Sequence, residues 1–391
     1  MRALLEQGPA APGDRPPGDD QTPTPGKPHH VQETMPGASP APEPPNGAGG
    51  GGAWSSRRRR LPRVGIALAI LIVAVGLALT VHLHYDVFVP GEAPDAGSLI
   101  HINGPVQRRA GSIHLTTVGV YYGVRLPQLV AAWLDSTAQV VSEAAYPNVP
   151  GQEVLAMDQS QRNATLAAFA ELGKSNLPSS GALIATIQPG TPAAQPGYLQ
   201  PGDVITSADG HPITTPDQLG PIVQTHKAGQ PVRLEVVRDT TASACPTPTK
   251  TLTLDVPVVQ NPQNTSTRII GVSVEPHFVL PVDVCINAGN IEGPSAGLSW
   301  ALEVVNQLGP TDLTRGRVIA DTGTMDEKGT VGEIGGVAQK EIGAERQGAT
   351  VFLVPKTQVA EARSAAAARH SKMQIVGVST LHEAVQVPSA S

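Results

Sequence analysis

An uncharged run of 18 residues, at positions 64–81, is the feature that most restricts how this chain can fold. As a helix the run would be roughly 27 Å long, close to the hydrocarbon thickness of a bilayer. Arginines at 57–60 and 63 precede it, and the first acidic residues beyond it are Asp86, Glu92 and Asp95. Because positive charge favours the cytoplasmic side, the pattern predicts a transmembrane helix over residues 61–84, with residues 85–391 extracytoplasmic.

Two other interpretations of this run remain open. A buried core helix could be equally apolar, and a cleaved signal peptide also begins with arginines and an apolar segment. The residues that follow, 82–85, read His-Leu-His-Tyr and lack the small side chains of a cleavage site. A retained signal anchor is therefore the favoured interpretation.

The first 60 residues are predicted to be a disordered cytoplasmic tail. They are rich in Pro, Gly, Ala and Ser and contain few large apolar side chains. Such a segment cannot bury enough apolar surface to offset the entropy lost on ordering.

Charge and cysteine content set two further limits. The net charge of −6 argues against nucleic acid as a partner. Cys245 and Cys285 are the two cysteines of the chain. They could form one disulfide on an oxidising side of the membrane or remain unpaired, and the sequence does not decide between these states.

Residues 177–258 form a unit with strand and turn signals of its own. A Gly-Thr-Pro-Ala-Ala run at 190–194 leads to Leu-Gln-Pro-Gly-Asp-Val-Ile at 199–205. The unit closely resembles a bacterial PDZ domain, which implies a partly open β-barrel with helices and a groove that binds a peptide as an added strand. By that resemblance, the loop that holds the peptide carboxylate lies near residues 180–183 and includes Gly181 and Ala182. The groove is then lined by Leu183, Ile184, Leu219 and Val223; the alternative is that these apolar residues form the small core.

A serine at the start of a predicted helix is the first catalytic candidate. The segment 293–297 reads Gly-Pro-Ser-Ala-Gly, and apolar residues follow at helical spacing up to Leu308. Ser295 therefore lies where free backbone N–H groups and the helix dipole can stabilise an oxyanion. A plain helix-capping serine is the alternative for this motif alone.

The second candidate is Lys340, on the first turn of a helix predicted to begin near Val337. A lysine in water has a pKa near 10.4 and cannot act as a base at neutral pH. Burial among apolar neighbours such as Val337, Ile342 and Ala344 would lower that pKa.

Together the two motifs resemble the proteolytic domain of Lon and Lon-like serine peptidases. The matched residues are 293–297, Thr322-Gly323, Gly329 and Ile-Gly-Gly-x-x-x-Lys at 334–340. The resemblance implies that Ser295 is the nucleophile and Lys340 the general base, with Thr322 orienting the lysine. Residues around the serine would support the site, and these are Glu292, Gly293, Pro294 and Ala296. No cofactor and no metal is predicted.

The whole chain resembles the membrane-anchored, PDZ-containing Lon-like proteases of Gram-positive and actinobacterial type. The predicted fold is α+β, with residues 85–176 as the first part of the catalytic domain and 259–391 as its Lon-type part. The sequence contains no Gly-x-x-x-x-Gly-Lys-[Ser/Thr] loop, so the predicted activity is ATP-independent cleavage of extracytoplasmic proteins or peptides. A ring-shaped homo-oligomer is plausible by the same resemblance.

Two other functional classes compete with a Lon-like peptidase. A trypsin-like protease would need a Gly-Asn-Ser-Gly-Gly-like motif, which the chain lacks. A catalytically silent, membrane-anchored PDZ adaptor that binds peptide C-termini remains the alternative function. Ser295→Ala would separate an enzyme from an adaptor.

Overall fold

The computed structural model describes residues 63–145, 151–239, 245 and 248–387. The predicted disordered tail, residues 1–60, lies outside the described residues. The described chain has eight α-helices: α1 (Arg63–Thr80), α2 (Leu126–Leu134), α3 (Gln152–Glu171), α4 (Leu219–Thr225), α5 (Gly297–Leu308), α6 (Val337–Arg346), α7 (Val359–Ala368) and α8 (Leu381–Gln386).

The strands of the described chain are numbered in sequence order: β1 (Tyr85–Pro90), β2 (Ile100–Asn103), β3 (Ser112–Leu115), β4 (Val118–Tyr121), β5 (Gln139–Ser142), β6 (Ser179–Ile187), β7 (Val204–Ala208), β8 (His211–Pro212), β9 (Pro231–Asp239), β10 (Thr249–Pro257), β11 (Val259–Gln260), β12 (Arg268–Ile269), β13 (Val272–Phe278), β14 (Asp283–Ile286), β15 (Val318–Asp321), β16 (Thr324–Met325), β17 (Val331–Gly332), β18 (Val351–Pro355) and β19 (Gln374–Val378).

Helix α1 covers the run that was predicted to cross a membrane. None of its residues is buried against the rest of the chain. Within the described residues it is the one helix whose length and apolar composition would suffice for a membrane span.

A four-stranded parallel sheet in the order β19-β18-β15-β3 forms the centre of the C-terminal part. Successive side chains of a strand point to opposite faces, and both faces are covered here. Val351 and Leu353 pack with α3, α5 and α8, whereas Phe352 and Val354 pack with α6 and α7. The result is a layered arrangement of helix, sheet and helix.

Part of this arrangement comes from residues before the PDZ-like unit. Strand β3 pairs with β15, and β2 pairs with β14. Helix α3 contributes Met157, Ala164 and Ala168 to the core that also contains α5. Residues from both sides of the PDZ-like unit therefore share one core.

A small antiparallel sheet, β4-β1-β5, lies next to α2. Apolar residues at helical spacing over residues 126–142 favour one helix, but the structure has α2 and then β5. The reason is local: Asp135 Oδ1 accepts hydrogen bonds from the Thr137 backbone N–H and hydroxyl, at 2.8 and 2.7 Å, which ends the helix in a turn. Val140 and Val141 then pair with β1.

The PDZ-like unit is built on an open sheet in the order β10-β9-β7-β6-β13, with β8 on β7. Its core contains Ile184, Ile205 and Leu234. Because β13 belongs to this sheet, the boundary predicted at residue 258 cuts through it. Cys245 and Cys285 are joined in a disulfide, which links the connection between β9 and β10 to β14.

Candidate active site

The structure brings Ser295 and Lys340 together, although they are 45 residues apart in sequence. Lys340 Nζ donates a hydrogen bond of 2.7 Å to Ser295 Oγ. The lysine side chain is buried, with 3% of the residue surface exposed, whereas the serine is partly exposed. A buried amine thus contacts a hydroxyl that a substrate can reach.

The serine is held in a tight turn at the start of α5. Residues Pro294–Ala296 form a single 3-10 turn that runs directly into the helix. Gly293 has φ of 88°, a conformation that glycine adopts without strain. A Cβ on Gly297 would lie 2.7 Å from the Met325 backbone nitrogen, so the start of α5 packs more closely on β16 than a larger residue allows.

Lys340 lies on the first turn of α6, which begins at Val337 as predicted. Burial lowers the pKa of Lys340 from the ordinary 10.5 to about 7, and the charge of Asp321 opposes this shift. A substantial fraction of the side chain is therefore neutral near pH 7. The neighbouring Glu341 points elsewhere and pairs with Arg369.

The lysine is oriented by a backbone group that the sequence did not indicate. Nζ also donates to the carbonyl oxygen of Thr116, at 2.8 Å. Thr116 follows β3, and its own hydroxyl donates to the Asp321 carbonyl oxygen at 3.0 Å. A backbone carbonyl leaves no signature in the residue type, so sequence reasoning had no signal for it.

Thr322 was predicted to orient the lysine, but its hydroxyl makes a different contact. Thr322 Oγ1 donates to the carbonyl oxygen of Ser295 at 3.2 Å, and the Gly323 backbone N–H donates to the same oxygen at 2.9 Å. Thr322 therefore holds the backbone of the serine turn.

Asp321 is a fully buried carboxyl next to this site to which the sequence reasoning gave no role. Its Oδ1 accepts a 2.6 Å hydrogen bond from Ser299 Oγ, and its Oδ2 has no hydrogen-bond partner. Burial raises its pKa to about 7, while the Ser299 hydrogen bond and the charge of Lys340 oppose the shift and Glu303 adds to it. The sequence does carry a signal for this group, because Asp321 is an acidic residue at the end of the apolar strand β15.

The other residues predicted around the serine surround the turn. Ala296 is buried and Pro294 is partly exposed, and the Pro294 carbonyl oxygen accepts a 2.9 Å hydrogen bond from Ser160 Oγ. Glu292 is exposed. Partial desolvation raises the pKa of Tyr122, and the charges of Glu153, Asp86 and Glu292 raise it further.

The residues predicted to line the PDZ groove lie in the core of that unit. Ala182, Ile184, Leu219 and Val223 belong to its buried cluster, and Leu183 is buried too. Gly181 lies on the same strand, β6.

The position of β6 corrects the predicted groove. Strand β6 pairs with β7 on one side and β13 on the other, so its backbone has no free edge for an added strand. The end strand on the β6 side is β13, and the neighbouring segment at Arg268 exchanges two hydrogen bonds with the Gln224 side chain of α4. The partner strand that covers β6 comes from about 90 residues downstream, which composition could not reveal.

No cluster of three or more His, Cys, Asp or Glu suited to a metal ion occurs among the described residues.

Comparison with known proteins agrees with these two units. A family model of the PDZ domain matches residues 157–249, and one of the Lon protease (S16) C-terminal proteolytic domain matches residues 267–388. The PDZ match begins on α3, although this helix packs in the core that contains α5 and not in the core of the PDZ-like unit.

Three curated proteins illustrate the similarity. Lon protease 2 of Herpetosiphon aurantiacus is 27% identical over 32% of this chain and 16% of its own length. The magnetosome formation protease MamE of Paramagnetospirillum magneticum is 44% identical over 15% of this chain and 8% of its own. A probable periplasmic serine endoprotease, DegP-like, of Pseudomonas fluorescens is 50% identical over 15% of this chain and 12% of its own.

The chain therefore spans less than a fifth of the length of these relatives. The matched segments are therefore similar to a PDZ domain and to a Lon-type proteolytic domain.

Proposed function

We propose that this chain is a membrane-anchored, ATP-independent serine endopeptidase in which Ser295 is the nucleophile and Lys340 the general base. The observation that carries the proposal is the 2.7 Å contact between Ser295 Oγ and the buried Lys340 Nζ. The depressed pKa of that lysine supports the same assignment, because a base must be neutral to accept a proton.

The geometry supports a two-stage acyl transfer. Neutral Lys340 takes the hydroxyl proton as Ser295 Oγ attacks the carbonyl carbon of the peptide. Backbone N–H groups of the 3-10 turn that holds Ser295 would stabilise the oxyanion. The lysine then gives its proton to the leaving amine, and water releases the acyl group by the reverse sequence.

In this proposal, residues 85–176 complete the proteolytic domain. They supply β3, which pairs with β15, and the Thr116 carbonyl that holds Lys340. The contact with Thr116 means that the lysine depends on a segment outside the Lon-type match at 267–388.

The proposed location is the outer face of a cell membrane, with α1 as the anchor. The arginines before α1 and the acidic residues after it support this orientation. The disulfide between Cys245 and Cys285 supports an oxidising compartment. Because the sequence has no ATP-binding phosphate loop, substrates would be peptides or loosely folded proteins.

The PDZ domain would deliver such substrates. An extended peptide could pair with the edge of β13 that β6 leaves open, since backbone pairing at an open edge is how such domains bind. The role of β13 replaces that expected for β6.

The test uses the full chain in detergent micelles with casein, in the absence of ATP. Wild type should cleave casein, whereas Ser295→Ala and Lys340→Ala should not. Ser364→Ala and Lys356→Ala change an exposed serine and an exposed lysine and serve as matched controls that retain activity. Equal cleavage by all variants would refute the dyad, and peptide binding without any cleavage would favour the silent adaptor.

A further inference from the structure

Helix α2 carries an apolar stripe that stays exposed in the described part of the chain. Leu129 and Ala132 face the small sheet β4-β1-β5 and are buried. Exposed apolar side chains occupy positions 126, 130, 133 and 134, which share the other face of the helix. Trp133 and Leu134 are 67% and 84% exposed. A helix that is apolar on both faces normally has a partner on each.

Exposed apolar side chains are concentrated in this part of the molecule. Beyond Val81, the described chain exposes eleven large apolar side chains, of which seven belong to β1, β4, α2 and the link between β4 and α2. These seven are Tyr85, Tyr121, Tyr122, Leu126, Val130, Trp133 and Leu134. Four of them are Trp or Tyr, in a chain with only 3% aromatic residues, so chance exposure does not account for the cluster.

The stripe begins where the chain leaves the anchor helix. Helix α1 ends at Thr80, and the Leu83 backbone N–H donates to the Val124 carbonyl oxygen at 2.9 Å. His82 forms a bridge with Arg125, the residue immediately before α2. These bonds fix the first turn of α2 beside the exit of the proposed membrane span, and α1 also contacts α2.

We propose that α2 lies in the outer interface of the bilayer, with Leu126, Val130, Trp133 and Leu134 in contact with lipid. This inference rests on the proposed anchoring by α1. Trp and Tyr prefer the membrane interface, where the ring contacts acyl chains and the polar group contacts headgroups. A second copy of the chain could also cover an apolar face, but the bilayer is favoured because the stripe starts at the end of the span.

Such a contact has a consequence for substrate choice. The anchor alone leaves the domains free to tilt, whereas a second contact at α2 holds them at a fixed orientation. The fixed orientation would restrict cleavage to polypeptide segments near the membrane surface.

The test measures tryptophan quenching in the full chain, reconstituted into phosphatidylcholine–phosphatidylglycerol vesicles with brominated acyl chains. A Trp54→Phe background leaves Trp133 and the fully buried Trp300. The protein that also carries Trp133→Phe emits from Trp300 alone. Subtracting its emission from that of the Trp54→Phe protein gives the emission of Trp133. Bromine should quench most of the Trp133 signal and leave the Trp300 signal unchanged. Casein cleavage should be unaffected by Trp133→Phe.

A matched control moves the tryptophan to another exposed apolar position. Val279→Trp is made on the Trp133→Phe background, since Val279 is 47% exposed and lies beyond β13. Its emission should be insensitive to bromine. Equal quenching at both positions would mean that the protein lies non-specifically on the vesicle and would overturn the inference.

Flotation of the same vesicles distinguishes failure of the proposed α1 anchor from failure of the proposed α2 contact. If the chain floats with lipid and Trp133 is not quenched, the anchor stands and the α2 contact is refuted. If the chain does not float, anchoring itself fails and the α2 contact fails with it. Absence of quenching together with a smaller assembly for Leu134→Ser would assign the stripe to a contact between copies.

Discussion

Ser299 donates a 2.6 Å hydrogen bond to Asp321, which is fully buried within one residue of Thr322 and close enough to Lys340 to act on its charge. The second carboxyl oxygen of Asp321 has no partner. An unpaired oxygen in a buried site is costly when it is charged. The charge of Lys340 lowers the pKa of Asp321 and the charge of Asp321 raises that of Lys340, so the protonation state of one affects the other.

The first prediction concerns the pH dependence of cleavage. The neutral form of Lys340 is lost as pH falls below its pKa of about 7, so kcat/KM should fall on the acid side of that value. The charge of Asp321 raises the lysine pKa, so Asp321→Asn should lower it and move the acid limb to lower pH. The asparagine oxygen still accepts from Ser299. A pH profile from 5 to 9 measures the shift.

Glu361→Gln, which neutralises an exposed carboxyl on α7, is the control and should leave the profile unchanged. An unchanged acid limb in Asp321→Asn would show that this carboxyl does not act on the lysine.

The second prediction concerns Thr322. Thr322→Val removes one of two hydrogen bonds to the Ser295 carbonyl oxygen while keeping the side-chain shape. One such bond contributes about 1 kcal/mol, so kcat should fall roughly 5- to 10-fold with little change in KM. Thr322→Ser retains the hydroxyl and should retain most of the activity. Complete inactivation by the valine variant would instead assign the hydroxyl to Lys340.

The third prediction concerns Glu303, a buried carboxyl on α5. Burial raises its pKa from 4.5 to about 7, although hydrogen bonds from Gln307 and Asn306 favour the charged form. A carboxyl whose pKa is higher in the folded state than in the unfolded state stabilises the fold at pH values below its unfolded pKa. That stability is lost as the pH rises through the folded pKa. Between pH 4.5 and 7 this loss should reach about 3 kcal/mol.

Glu303→Gln has no charge to bury and should escape that loss. Thermal unfolding of the full chain in micelles should show a larger advantage of the variant over wild type at pH 8 than at pH 5. The same advantage at both values would mean that the carboxyl does not titrate in this range.

The fourth prediction concerns the disulfide between Cys245 and Cys285, which closes a loop with a sequence separation of 40. A loop of this length should stabilise the fold by about 4 kcal/mol through the unfolded state. The double variant Cys245→Ser/Cys285→Ser should therefore unfold at lower denaturant concentration. Reductant should destabilise wild type to the same extent and leave the double variant unaffected; sensitivity of that variant would contradict the explanation.

The proposed catalytic pair can be predicted from sequence because each residue lies in a short local motif. Local patterns place Ser295 at the start of one helix and Lys340 on the first turn of another, which begins at Val337. The Thr116 carbonyl was not accessible, since any residue has one. Asp321 is an acidic residue at the end of an apolar strand, but its effect depends on burial, which residue type does not indicate.

The sequence-based predictions are wrong where pairing between segments distant in sequence decides the structure. The β6 segment has the composition of a groove strand, yet β13 covers its edge. Residues 139–142 have helical spacing with α2, yet pairing with β1 makes them a strand.

The pairing of β3 with β15 has a consequence for the order in which this chain folds. Thr116 and Asp321 are 205 residues apart, and the whole PDZ-like unit lies between them. Contacts this distant in sequence slow folding because a long loop must close first. The PDZ-like unit would therefore fold early, while β3 still lacks its partner strand. The contact of Lys340 with the Thr116 carbonyl would form only after β3 and β15 have paired, so the proposed activity would arise late in folding.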